Sequence, residues 1–337
     1  MSMMRRRHII LATDLSARCD RAFERAVLLT REWDAQLIVV HALENEQLGR
    51  AASPRWHGID RDRLDAETQI SADLQRAGVA ADVVVQRGSA SEVIAELARN
   101  RPCDLIVTGI ARELGLARAI LGSTLEALAR ESVAPVLTVN RPARGSYDSA
   151  VVGTNFSKGS RAAVQATLQL FQPAQVTALH AYRLTGDRLG GMQINDEAAY
   201  LHLLGECRQF VADAAPATWQ KVRCLAEIGF PETLLKLYAL DRKVDLIAVG
   251  LEPRIPVATF LLGSTGRSLI LSSPCDLLLV PAKWASSAGD AIDVPHRSPK
   301  RAIGASQVER HEDSVAVNAQ NWRPARHQEA LKTNTRH

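Results

Sequence analysis

No stretch of the 337-residue sequence approaches the ~20 consecutive apolar residues that a membrane-spanning helix needs. The first seven residues are basic, as the start of a secretory signal would be. Only a four-residue apolar run, Ile9 to Ala12, follows before Asp14, too short for the apolar part of such a signal, so a cytoplasmic location is expected. Five cysteines (Cys19, Cys103, Cys207, Cys224, Cys275) form no Cys-x-x-Cys pair and are odd in number, which favours structural thiols over a redox or metal role. The net charge of +4 is mild, and much of the excess lies near the C-terminus (Arg297, Lys300, Arg301, Arg310, Arg323, Arg326, Arg336), so nucleic acid is not the expected partner. The motifs of several enzyme classes are missing as well. There is no Gly-x4-Gly-Lys-Ser/Thr loop to set a lysine on phosphates, no Gly-x-Ser-x-Gly elbow and no His-Glu-x-x-His zinc pair. Where a Ser-Gly-Gly-x-Asp loop could follow the first strand, Thr13-Asp14-Leu15-Ser16 stands instead.

What is present is an internal duplication. Cys103-Asp104-Leu105-Ile106-Val107-Thr108-Gly109 is followed by twelve residues, Gly122-Ser123-Thr124, a helical run and Pro135 before Val136 to Val139. Val244-Asp245-Leu246-Ile247-Ala248-Val249-Gly250 is followed by the same interval, Gly263-Ser264-Thr265, a helical run and Pro274 before a strand ending at Val280. The match extends upstream: Asn155-Phe156-Ser157 repeats Asp14-Leu15-Ser16, His180 stands for His41, Gly229 for Gly88 and Asp245 for Asp104. The expected organisation is a domain over residues 1–141, a second over 149–282, and a disordered polar tail over 283–337. Arg141 to Ser149 reads as the linker.

Within each repeat, short unalternated apolar runs suit strands covered on both faces. In the first repeat these are His8 to Thr13, Gln36 to Ala42, Ala81 to Gln86, Asp104 to Thr108 and Val136 to Val139. Helices are expected between them, from Ala17 to Trp33 and from about Arg61 to Ala77, the second ended by Gly78. Gly88-Ser89 opens a third, and Ser123 with Glu126 has the form of a capping box for a fourth. Strands alternating with helices imply a doubly wound parallel sheet in each repeat. His41 and His180 read as satisfied core histidines, and Asp104 and Asp245 as helix-stop residues.

In such a sheet ligands sit beyond the carboxyl ends of the strands. A helix start adds free N–H groups and the positive end of the dipole, which suits phosphate. The candidate nucleotide-binding residues in the first repeat are Ala12, Thr13, Asp14, Ala42, Thr108, Gly109, Arg112, Gly122, Ser123 and Thr124. In the second they are Gly153, Asn155, Ala181, Val249, Gly250, Gly263, Ser264 and Thr265. The same glycines and hydroxyls also serve as turn and cap residues whatever is bound.

Taken together, strand-Asp14-x-Ser16, strand-His41, Gly109…Gly122-Ser123 and Pro135, repeated across residues 8 to 282, resemble the universal stress protein family. That resemblance implies a Rossmann-like five-stranded parallel sheet of order 3-2-1-4-5 in each repeat. One branch of the family binds ATP through Gly-x2-Gly-x9-Gly-Ser/Thr, so the implied cofactor is ATP, with an accompanying Mg2+ left open. The middle glycine of that motif is Arg112 in the first repeat and Pro253 in the second. A Cβ there opposes close approach, Pro removes a donor, and Arg112 could instead reach the phosphates. Asp14 becomes Asn155, which cannot neutralise a metal. At the last helix Glu126 opposes a phosphate and Arg267 favours one. The resemblance also implies pairing of the two repeats about a pseudo-twofold axis through their last strands, with homo-oligomers left open. Two readings stand: a module that signals through ATP in at least one repeat, and a nucleotide-free scaffold with degenerate sites. Catalysis is expected to be absent or limited to slow ATP hydrolysis or self-phosphorylation at Ser123 or Thr124.

Overall fold

The computed structural model describes residues 6–43, 61–109, 125, 127–128, 132–183, 197–252 and 264–284. Five strands belong to the first repeat: β1 (His8–Ala12), β2 (Gln36–Leu43), β3 (Ala81–Arg87), β4 (Leu105–Gly109) and β5 (Val136–Val139). Five belong to the second: β6 (Ser149–Thr154), β7 (Gln175–Tyr182), β8 (Val222–Ile228), β9 (Leu246–Leu251) and β10 (Asp276–Pro281). Both halves keep the expected order, but they share one sheet, β3-β2-β1-β4-β5-β10-β9-β6-β7-β8. The central strands are mostly buried, whereas β3 and β8, at the two edges, bury only one and two of their seven residues. An unalternated apolar run thus marks a strand with neighbours on both sides and helices on both faces.

All pairings are parallel except at the centre, where β5 and β10 run antiparallel with Thr138 opposite Leu277, Leu137 opposite Leu278 and Val136 opposite Leu279. Gly109 pairs with Val139 and Gly250 with Val280, so these positions correspond between repeats. In that register Leu137 and Leu278 are equivalent residues and face each other. The join is therefore two-fold in its own numbering. The same register places Pro135 opposite Asp276 in the repeat alignment, not opposite Pro274 as the prolines alone suggest.

The helices α1 (Asp20–Glu32), α2 (Arg61–Ala77), α4 (Lys158–Ala166) and α5 (Glu197–Ala214) cover one face of the sheet. α3 (Ala90–Asn100), α6 (Pro231–Asp241) and α7 (Ser264–Ser272) cover the other, with Leu125 and Leu128. Each face carries one continuous apolar core that runs across both repeats, as Leu11 to Val280 do on the first face and Ile10 to Leu279 on the second. The core is divided by the sheet, not by the duplication. Helix entry departs from expectation at α1, where Ala17–Cys19 forms a tight 3-10 turn before the helix proper. Gly78, at φ +62°, ends α2 as the sequence predicts.

Two expectations change. The linker is built into the fold: Tyr147 is only 3% exposed and its hydroxyl donates to Asp276 at 2.6 Å. Asp276 is 1% exposed and also accepts from the N–H groups of Asn140 (2.7 Å) and Arg141 (2.9 Å). Arg25 of α1 stands 3.6 Å away, lies over the Tyr147 ring and donates to the Gly145 carbonyl at 2.6 Å. A charge taken this far out of water is tolerable only with such a set of partners. Asp104 and Asp245, in turn, are strand clasps. Asp104 Oδ2 accepts His8 N–H at 2.8 Å, and Asp245 Oδ2 accepts from the N–H groups of Asp148 and Ser149 and from Ser149 Oγ. Each fixes the start of its repeat's central strand. Trp284, past the expected boundary, packs against the core.

Candidate functional site

The carboxyl ends of β1 and β6 lead into turns that share four features. Thr13 Oγ1 accepts Leu15 N–H at 3.0 Å, and Thr154 Oγ1 accepts Phe156 N–H at 3.1 Å. Asp14 Oδ1 accepts Ser16 N–H at 2.9 Å, and Asn155 Oδ1 accepts Ser157 N–H at 3.3 Å. His41 Nδ1 donates to the Thr13 carbonyl and His180 Nδ1 to the Thr154 carbonyl, both at 2.9 Å. Leu15 and Phe156 sit at φ +60° and +63°. A bulky residue in this left-handed region costs on the order of 1–3 kcal/mol and persists only where its surroundings hold it there. Here both side chains are pinned in the core, Phe156 by stacking on His180 with ring centroids 4.2 Å apart. The strained turn leaves the Asp14 and Asn155 side chains exposed.

In the first repeat, Ala12 is buried, and Thr13, Ala42, Thr108 and Gly109 are half-buried around this turn. β1 pairs with β4 so that Ala12 lies beside Thr108, and Gly109 follows at the strand end. Asp14 Oδ1 also accepts the Ser16 hydroxyl at 2.6 Å, so its carboxylate closes the turn. Cys19 hydrogen-bonds to the same carboxylate, and burial pushes its thiol up to about 11. Arg112, Gly122, Ser123, Thr124 and the Glu126 capping partner lie outside the described residues.

The second repeat closes around the equivalent place. Ala181 is half-buried at the end of β7. Gly153 fills a packing role, since a Cβ there would stand 3.0 Å from Leu235 Cδ1 and 3.3 Å from Val249 Cγ1. Gly250 lies against the first turn of α4, where a Cβ would overlap the Gly159 backbone. Glu252 accepts the Gly159 N–H, and Ser157 Oγ accepts the Ser160 N–H at 3.2 Å. Asn155 Oδ1 accepts the Ser160 hydroxyl at 2.6 Å. Ser264 is exposed at the start of α7, and Thr265 Oγ1 donates to Glu232 Oε2 at 3.3 Å. Pro253 and Gly263 lie outside the described residues. Sequence reasoning missed Thr154, Gly159, Glu232 and Glu252. Thr154 was findable as the repeat partner of Thr13; the other three carry no local signal, because their roles arise from contacts far along the chain.

Away from these turns, two thiols meet. Cys207 of α5 lies 4.0 Å from the Ala178 carbonyl, and Ala178 pairs with Cys224 on the neighbouring strand. The Cys207 thiol donates to Cys224, which lowers Cys224 and raises Cys207. Burial pushes Cys103 and Cys275 up to about 12.

The universal stress protein family model matches residues 5–140 and again 146–281. The chain belongs to the universal stress protein family. It carries two such domains in tandem. A universal stress protein of Methanocaldococcus jannaschii is 27% identical over 139 residues, spanning 40% of this chain and 82% of that protein. The crystal structure of a universal stress protein from Archaeoglobus fulgidus superposes with a TM-score of 0.60 at 20% identity, covering 82% of this chain and 98% of that one. A functionally unknown protein of Pseudomonas aeruginosa superposes at 0.59 with 16% identity, covering 83% and 94%. The two structures bear on the fold alone. Among the described residues no helix is long and apolar enough to cross a membrane.

Proposed function

We propose that this universal stress protein is a cytoplasmic stress-response module that binds an adenine nucleotide, ATP, in its first repeat, and that its repeats work as an intramolecular pseudo-dimer. The observation that carries the reading is the strained Thr13-Asp14-Leu15-Ser16 turn, which holds an acidic side chain at the carboxyl end of the central strand. Backbone strain that is held by surrounding contacts and rebuilt in a second copy is the mark of a site the fold maintains. Ala12 and Ala42 at the neighbouring strand ends are small, and Gly109 stands at the end of the adjacent strand. The pseudo-dimer is supported by the β5–β10 register, in which equivalent leucines face each other. The two domains are assigned to residues 1–141 and 149–282, with 283–337 appended.

A nucleotide-free scaffold is the second reading. It is favoured by the Asp14 carboxylate, whose Oδ1 already accepts two hydrogen bonds from Ser16.

The two part on one experiment. The purified native chain is stripped, any released molecule is identified by mass, and the stripped protein is titrated with ATP. Released adenine nucleotide, or saturable ATP binding that Asp14→Leu abolishes without unfolding the chain, supports the first reading. An empty protein that ignores ATP at millimolar concentration overturns it.

A further inference from the structure

We infer that the second repeat is closed to nucleoside polyphosphates by its own residues, so that the chain takes a single nucleotide, in the first repeat; this rests on the proposed reading of the first repeat. The slot in question lies between the end of β9 and the start of α4. Both sides of it are main chain. Gly250 and Gly159 meet without a Cβ on either, and a Cβ built on Gly159 would stand 2.8 Å from Glu252 Oε1 and 3.1 Å from the Leu251 carbonyl oxygen. That contact brings Glu252, two residues beyond Gly250, onto the first turn of α4.

The helix start that borders the slot is also spoken for. Glu252 takes the Gly159 N–H, Ser157 Oγ takes the Ser160 N–H, and the Ser157 carbonyl takes the Arg161 N–H at 3.0 Å. The carboxylate thus sits where the positive end of the α4 dipole would draw an anion. A second carboxylate, Glu232, accepts from Thr265 in the first turn of α7. Two fixed negative charges at two helix starts oppose a polyphosphate and would be left unpaired if it displaced them.

The first repeat has none of these features in its sequence. The strand registers Ala12–Thr108 and Gly153–Val249 fix the correspondence between repeats. In it Glu252 becomes Ala111, Glu232 becomes Ser91 and Gly159 becomes Arg18. Both acids are replaced by neutral residues, and a position that must be glycine in the second repeat carries a cationic side chain in the first. At these three positions the second repeat carries two carboxylates and the first carries one cation.

The test counts ATP sites by calorimetric titration of the full chain. The wild type is predicted to bind one equivalent, and Asp14→Leu to bind none. Glu252→Gln with Glu232→Gln keeps the hydrogen-bond acceptors but removes both charges. It should acquire second-repeat binding, tightened by about tenfold or more per charge removed. The same pair in the Asp14→Leu chain should retain that new site alone. Circular dichroism checks that each variant folds. Two equivalents in the wild type, or one that survives Asp14→Leu, would overturn the inference. A charge-removed variant that gains no site overturns the role given to the carboxylates. A wild type that binds nothing while the charge-removed variant binds one equivalent would instead refute the first-repeat reading and leave the closure standing.

Discussion

The two repeats share a frame and differ in what the frame encloses. Each builds the same turn after its central strand, with a threonine hydroxyl, an Asx side chain, a histidine and a bulky residue at positive φ. Around it the second repeat brings Glu252, Glu232 and a glycine–glycine contact, where the first has Ala111, Ser91 and Arg18. The outer faces diverge in the same way. Phe230, Leu237, Leu240 and Leu271 are exposed on the second repeat, and Ser89, Glu96, Arg99 and Arg130 hold the corresponding positions in the first. Duplication kept the architecture that both cores depend on, since each core crosses the whole sheet. It left the positions around the turn and on the solvent-facing surface free to change charge and polarity.

The largest effect is expected at the strand that joins the repeats. Asp276→Ala removes the acceptor of three hydrogen bonds and leaves Arg25 buried beside it without its carboxylate. Denaturant unfolding should show a loss of about 3–5 kcal/mol. A loss under about 1 kcal/mol would mean that this knot does not hold the repeats together. Next comes Gly250→Ala, which forces a Cβ into the Gly159 backbone and should cost about 3 kcal/mol or more. Gly109→Ala should cost less, because the residue corresponding to Gly159 is Arg18, which already carries a Cβ. Equal losses at the two glycines would erase the contrast between open and closed repeats.

The thiols give a smaller, pH-dependent contrast. Cys224 is lowered by its hydrogen bond from Cys207, whereas Cys19 is held up to about 11 and Cys103 and Cys275 up to about 12. As pH rises, the thiolate therefore forms first at Cys224. Mass mapping of iodoacetamide labelling on the folded chain should find Cys224 modified at lower pH than the other three. Simultaneous labelling would contradict the pairing of the two thiols. Smallest of all, Leu237→Glu and Leu240→Arg copy the first repeat's surface onto the second and should move stability by less than about 0.5 kcal/mol. A larger loss would indicate that this face is covered in solution.

Much of this organisation was legible in the sequence. The five strands of the first repeat follow from short apolar runs, and the duplication from the spacing of Gly109 and Gly122 against Gly250 and Gly263, whereas β8, interrupted by Arg223 and Glu227, does not read as a strand. Gly78, Gly88 and Gly229 stand at positive φ at the ends of helices or strands, as turn glycines do. What escaped is long-range. Asp276 reads as a polar flaw at the start of an apolar strand until the fold brings Arg25, Tyr147 and the linker amides to it. The linker composition of Arg141 to Ser149 suggested a tether, yet Tyr147 fills the core. Pro135 and Pro274 look equivalent, but hydrogen-bond register rather than residue type sets the alignment. Glu252 could not be distinguished from any surface acid, because its partner lies 93 residues away.

The asymmetry between repeats is tested most directly by photolabelling the intact chain with an azido derivative of ATP, followed by digestion and mass mapping. The account predicts saturable labelling, competed by unmodified ATP, on peptides of the first repeat only. Competed labelling on peptides from residues 149–282, or no competed labelling anywhere, would contradict it.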